Sequence, residues 1–117
     1  MSVEADLYAV LKGFVGNRAY PDVAPQNPSL PFIVYQQVGG QPANYVAGVP
    51  QYRNGRFQIN VWSKSRAEAA SIIRQVEDAV RLDPKLRAVT LGGVLAVYED
   101  TTKWYGSQQD HSIWFSE

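Results

Sequence analysis

The chain of 117 residues contains no cysteine and only one histidine, His111. Without cysteine there is no disulfide, no thiolate metal ligand and no cysteine nucleophile. His111 has no second histidine to join it at metal-ligand spacing, so a zinc site is not expected. A lone histidine within a strand is usually structural, and we therefore predict neither a catalytic nor a metal-binding role for His111.

A surplus of positive charge is missing as well, because eleven basic residues balance eleven acidic ones. Binding to phosphates in general requires a basic surplus, so no specific nucleic-acid partner is expected. No apolar run approaches the ~20 residues that cross a bilayer, and no membrane partner is expected. The acidic N-terminus lacks the pattern of a signal peptide, which predicts a soluble protein made in the cytoplasm.

Signatures of catalysis are also absent from the sequence. There is no GxxxxGK(S/T) phosphate loop and no GxSxG nucleophile elbow. Two pairs of carboxylates occur, Glu77-Asp78 and Glu99-Asp100, but adjacent residues on a helix or a strand do not share a face. Neither pair resembles the converging carboxylates of a hydrolase. We therefore predict a protein that is not an enzyme, with no catalytic residue and no cofactor.

Two segments have the apolar spacing of helices. Val3 to Phe14 carries one apolar stripe and follows Ser2, a predicted N-cap. Ser65 to Leu82 carries a second stripe and begins with a capping-box pattern, Ser65 with Glu68 three residues on. Each stripe needs a sheet or another helix to cover it.

Four segments have the composition of strands: 32–38, 56–63, 93–101 and 110–116. Residues 103–107, between the last two, are predicted as a turn or an irregular strand end. The order is helix, strand, strand, helix, strand, strand. It predicts an α+β fold in which an antiparallel sheet of about four strands carries two helices on one face. With 45% hydrophobic residues, we expect a single domain spanning residues 1–117.

Two further segments have no helical or strand pattern. Tyr20 to Pro31 contains four prolines, which exclude a helix and leave either an extended segment over the core or a plain surface connector. Residues 40–54 form a long loop, and loops of this length are usually functional or mobile. Tyr45, Val49 and Tyr52 give that loop apolar anchors.

The aromatic residues, 3 Trp, 7 Tyr and 4 Phe, are too many for all of them to face inward. Strand alternation places Trp62 and Trp114 on the face opposite the apolar one. A half-polar aromatic face is typical of a protein–protein interface, although a small second core under the long loop explains it equally well. The candidate interface residues are Tyr45, Val49, Tyr52, Arg56, Gln58, Asn60, Trp62 and Trp114.

Four stretches of the chain resemble, in order, a family of phage proteins. They are RAYPDVAPQ at 18–26, LPFIVYQ at 30–36, RFQINVWS at 56–63 followed by an Ala-rich helix, and DHSIW at 110–114. The ordered set resembles the tail-completion, or head-to-tail joining, family of tailed bacteriophages and prophages. The resemblance covers nearly the whole chain.

This resemblance implies a structural role in virion assembly. Such proteins bind the head-proximal end of a tail, or the connector that faces it, and are thought to act as rings, often of six subunits. It implies as partners further copies of the chain together with tail-tube or head-connector proteins, and it implies a location in the virion and, during assembly, in the host cytoplasm. The alternatives are a head-connector or tail-terminator protein of similar fold, or a protein-binding module unrelated to phages.

Overall fold

A computed structural model describes residues 2–42 and 52–116 of the chain. Two helices and five strands follow one another, with a short 3-10 turn at Lys12–Phe14 after the first helix. The helices are α1, Val3–Leu11, and α2, Arg66–Leu82. The strands are β1, Ala19–Pro21; β2, Phe32–Gln37; β3, Arg53–Ser63; β4, Val89–Glu99; and β5, Trp104–Phe115.

The strands form one sheet in the spatial order β1-β2-β3-β5-β4. The α+β class is confirmed, and β2, β3, β5 and β4 pair antiparallel as expected. The prediction of four strands is wrong, because β1 adds a fifth strand that runs parallel to β2. Three residues are too few for a periodic pattern, and proline is tolerated in such a strand only because it lies at a sheet edge.

The bounds of the strands also differ from the prediction. Strand β3 begins at Arg53, inside the segment predicted as loop 40–54. Strand β5 begins at Trp104, so residues 103–107 are not a turn but the first part of the longest strand. The turn lies earlier, at Asp100 to Lys103, where Lys103 has a positive φ and its N–H bonds to the carbonyl of Glu99. Glycine and serine at 106 and 107 concealed the strand, since both are more common in turns.

Both helices begin at the predicted caps. The Ser2 hydroxyl accepts a hydrogen bond from the N–H of Ala5, and the Ser65 hydroxyl accepts one from the N–H of Glu68. The Glu68 carboxylate does not complete a capping box, because it bonds instead to the hydroxyl of Ser63 at the end of β3. This contact ties the start of α2 to the strand that precedes it.

The core lies between the helices and one face of the sheet. Buried side chains from α1 and α2 meet buried side chains from β2, β3 and β5 in a single cluster. Each large apolar side chain that is fully buried contributes about 1.5–3 kcal/mol. The most deeply buried members include Leu7, Leu11, Ile33, Phe57, Ile59, Ile73, Val76 and Ile113.

Candidate interaction face

The sheet has a second face, opposite the helices, which we call the open face. On β3 the buried residues Phe57, Ile59 and Val61 alternate with half-buried or exposed ones that point to the open face. The residues of the open face on β3 are Asn54, Arg56, Gln58, Asn60 and Trp62. Four predicted interface residues, Arg56, Gln58, Asn60 and Trp62, therefore lie side by side on one surface.

The candidate residues on the described strands extend along the open face rather than clustering at one point. Trp114 shares the open face but lies opposite Asn54, at the far end of β3 from Trp62. Strand geometry separates the two ends by roughly 27 Å. Tyr52 lies just before β3, where the guanidinium of Arg87 stacks 4.6 Å from the centre of its ring. Tyr45 and Val49 lie outside the described residues.

One end of the open face carries a cluster of aromatic rings. The ring of Trp104 packs edge-on against Phe32 at 5.5 Å and lies 6.3 Å from the ring of Trp62. Tyr20, on β1, lies 6.3 Å from Phe32 on the other side. The sequence did not point to Trp104, because residues 103–107 were predicted as a turn. Residues 104–111 show no alternation of apolar and polar side chains, so hydrophobic spacing offered no signal for this part of β5.

The proline-rich segment lies beside this cluster. Asp22 to Pro28 forms one wall of an open groove, and the aromatic cluster forms its floor. The groove has a volume of about 470 Å³, and the polar residues among those that line it are Asp22, Gln36, Asn60 and Glu99. The segment is mostly exposed and borders the open face at its aromatic end, so it does not lie over the core, and it is closer to the surface connector that was the other alternative.

A band of polar groups separates the aromatic cluster from Trp114. The Nε–H of Arg56 donates a hydrogen bond of 2.7 Å to Oδ2 of Asp110 across β3 and β5. The Arg56 side chain is 50% exposed, so water screens this pair and its contribution to stability is small. Asp110 is only 14% exposed and holds the guanidinium in place at the surface. Such a positioned cation is well suited to meet a carboxylate on another protein.

Nearer Trp114, polar side chains of the open face form hydrogen bonds with each other. The amide of Asn54 donates a 2.7 Å hydrogen bond to the hydroxyl of Ser112. Its carbonyl oxygen accepts a 2.9 Å bond from the backbone N–H of Gln41. Through Asn54, the described part of the segment between β2 and β3 is tied to the end of the open face.

His111 lies on the covered face of β5 and is completely buried. Its Nδ1 is 3.4 Å from the hydroxyl of Thr90, and its Nε2 has no hydrogen-bond partner among the described residues. Burial lowers the pKa of His111, with Arg81 acting in the same direction against Glu77 and Asp110. The imidazole is therefore neutral at pH 7 and faces the core.

In the described ranges, no group of three or more His, Cys, Asp or Glu side chains is arranged to hold a metal ion. In the same ranges, no helix is long and apolar enough to cross a membrane. The open face, with its aromatic cluster, positioned arginine and second tryptophan, is the candidate interaction surface.

Comparison with known proteins agrees with this architecture. A family model described as "Tail completion protein gp17" matches residues 5–116. No curated protein matches the chain. Among solved structures, a chain of the "Virion of native gene transfer agent (GTA) particle", a phage-like particle, is similar with a TM-score of 0.65 and 18% identity, covering 99% of this chain and 96% of that chain. At that identity the likeness shows a shared fold. The chain belongs to the tail completion protein gp17 family and is a structural protein of a phage tail.

Proposed function

We propose that the chain completes the head-proximal end of a phage tail and helps to join the tail to the head, acting as a ring of identical subunits. Membership of the tail completion family over residues 5–116 carries this proposal. The fold shared with a chain of a phage-like virion supports it. The role is structural rather than enzymatic, and its place is the virion and, during assembly, the host cytoplasm.

The open face supplies a surface of the right kind. A closed ring needs a heterologous contact, in which two different patches of each subunit meet. Trp62 and Trp114 lie at opposite ends of the open face, and we propose that they take part in separate contacts. We assign Trp114, with Arg56 and Tyr52, to one contact, and Trp62, with Gln58 and Asn60, to the other. Tyr45 and Val49 are assigned to the former because they precede Tyr52 in sequence.

The aromatic side chains and Arg56 give these contacts their energy. Trp, Tyr and Arg are the residues that contribute most at protein interfaces, especially where they lie in partly enclosed surroundings. Arg56 is fixed by Asp110 before any partner arrives, which lowers the entropy lost on binding. The partners that this surface would meet are further copies of the chain and the tail-tube or connector proteins.

A reconstitution experiment tests the proposal. Heads and tails are purified separately from a phage in which this gene is deleted, and the protein is added to one of them before mixing. We expect joined particles when the tails are treated first, and fewer when the heads are treated first and then washed. Joining after treatment of heads alone would place the protein on the connector. Failure to join in either order would contradict the proposed function.

A further inference from the structure

The two edges of the sheet are very different. One edge is β1, which has three residues and ends in Pro21. The other is β4, which has eleven residues, VTLGGVLAVYE, with no proline, no basic residue and one charge at its last position. Proteins usually protect a long edge with lysine, proline, a β-bulge or a covering element, since its free N–H and C=O groups pair readily with another strand. Of these devices β4 has a bulge, between Leu91 and Leu95, but neither lysine nor proline.

The side chains of β4 are also unusually apolar for an exposed strand. Val89 is 58% exposed, Leu95 57% and Tyr98 45%. A bulge at Gly92 and Gly93 divides the strand into two paired parts, Val89–Leu91 and Leu95–Glu99. The bulge is held in place because the side-chain amide of Gln109 donates a hydrogen bond of 3.2 Å to the carbonyl of Gly92.

Charge is distributed along this edge in a self-complementary way. Exposed Lys85 and Arg87 precede β4, and exposed Glu99 and Asp100 lie at its other end, with only uncharged residues between them. Asp100 is paired with Lys103 at 3.2 Å, so Glu99 supplies the acidic charge at this end. Two copies of β4 placed antiparallel bring the basic end of each to the acidic end of the other. The contact between a basic end and an acidic end then occurs twice, once at each end of the paired strands, as a two-fold axis requires.

We propose that the free protein forms a dimer in which the β4 strands of two copies pair antiparallel about a two-fold axis at Gly93. The two sheets then form one continuous ten-stranded sheet, twice the five strands of each copy. This proposal does not rest on the function proposed above. A ring requires heterologous contacts, whereas this contact is isologous and closes after two copies.

The side chains select this register. With Gly93 on the axis, Val89 lies opposite Val97 of the second copy and Leu91 lies opposite Leu95. In the sheet, all four lie on the open face, as do their partners on β5, so the opposed residues point to the same side. Arg87 then meets Glu99 of the second copy at both ends. Moving the axis by one residue puts Arg87 opposite an uncharged residue, Val97 or Thr101.

A cysteine on the axis tests the register. The chain has no cysteine, so Gly93→Cys introduces one thiol per copy. A Cβ at Gly93 meets no atom within 4 Å, so the variant should fold. Directly opposed residues in antiparallel strands have Cα atoms about 4.5–5.5 Å apart, within the range of a disulfide. We expect Gly93→Cys to form a disulfide-linked dimer rapidly under mild oxidation of the purified full chain.

Val89→Cys is the matched control, because Val89 is also exposed but lies roughly 20 Å from its own copy in this register, the length of the six β5 residues that pair with this part of β4. It should cross-link much more slowly. Equal rates for the two variants would overturn the register. A chain that remains monomeric by sedimentation up to high concentration would overturn the dimer and would favour a strand from another protein as the occupant of the edge.

Charge reversal gives an independent test. Arg87→Glu and Glu99→Arg should each raise the dimer Kd by about tenfold, because each replaces two attractive pairs by two repulsive ones. An equimolar mixture of the two variants should recover dimerisation, since both contacts of the mixed dimer join opposite charges. Lys64→Glu and Asp78→Arg, exposed and away from the edge, are the controls. A mixture that dimerises no better than either variant alone would contradict the proposal.

Discussion

Trp62 packs directly over Gly106 on the neighbouring strand. A Cβ added at Gly106 would lie 2.9 Å from Cζ3 of Trp62 and 2.6 Å from Cγ2 of Val97. Gly106 is therefore the position at which side chains from β3 and β4 approach each other across β5. The missing side chain makes room for the indole, and the indole in turn packs against Trp104.

Replacing Gly106 should disturb this packing. We expect Gly106→Ala to lower the free energy of unfolding by about 1–3 kcal/mol, as overpacking of an ordered site usually does. Thermal unfolding, with tryptophan fluorescence to follow the aromatic cluster, measures the effect. Gly13→Ala is the control, since nothing lies within 4 Å of the added methyl and Gly13 is far from β4 in the sequence. Equal melting temperatures for the two variants would show that the aromatic rings near Gly106 make room for the added methyl group without a measurable loss of stability.

The pH dependence of stability should contain a contribution from His111. Burial lowers the pKa of His111 below its ordinary value of 6.5, so the folded protein keeps the imidazole neutral where the unfolded chain begins to take up a proton. The contribution is therefore fully present above about pH 6.5 and is lost as the pH falls from there towards the folded-state pKa. We expect the melting temperature to fall between pH 7.5 and 5.5.

His111→Gln separates this effect from the titration of carboxylates. The variant can still bond to Thr90 but does not titrate, so its melting temperature should change less over the same range. A parallel dependence in both proteins would show that His111 is not the group responsible.

The N-cap of α2 should contribute measurably to the free energy of unfolding. Ser65→Ala removes the acceptor for the N–H of Glu68, and we expect a loss of about 1 kcal/mol in urea unfolding. Ser65→Asp, which keeps an acceptor at the same place, should retain most of the stability. An unchanged midpoint in Ser65→Ala would show that the Ser63–Glu68 contact alone fixes the start of the helix.

The two tryptophans of the open face should respond differently to truncation. Trp62 belongs to the aromatic cluster, so Trp62→Ala should lower both thermal stability and binding to tails. Trp114 has no aromatic neighbour of that kind among the described residues, so Trp114→Ala should weaken binding while changing the melting temperature by only a few degrees. Co-sedimentation with tails and thermal unfolding together measure the two effects. A large loss of stability in Trp114→Ala would place that residue in the core.

Periodicity predicted the elements whose residues alternate between core and solvent. Strand β3 and helix α2 have one buried face each, so hydrophobic spacing located them to within a few residues. Strand β1 was not predicted because its three residues are too few to show a hydrophobic period. The start of β5 was not predicted because Gly106 and Ser107 are not typical strand residues. Gly106 is small enough to pack under Trp62, and Ser107 is buried.

The sequence predicted which face of the sheet carries the candidate site, but not all of the residues that compose it. Alternation was enough to place Arg56, Gln58, Asn60, Trp62 and Trp114 on one face. Alternation within one strand does not show which strands pair with each other. Trp104 was therefore missed, and the distance between Trp62 and Trp114 was not predicted. Contacts such as Arg56 with Asp110 depend on which strands are neighbours, which only the order β3-β5-β4 determines.

In the proposed role, this chain binds one end of the tail. The most direct measurement is electron microscopy of purified tails, from a phage lacking this gene, after incubation with the protein carrying a gold label. We expect label at the head-proximal end alone, as a closed ring with a fixed number of copies per tail. Label spread along the tube, label at the opposite end, or bare tails beside labelled head connectors would contradict it.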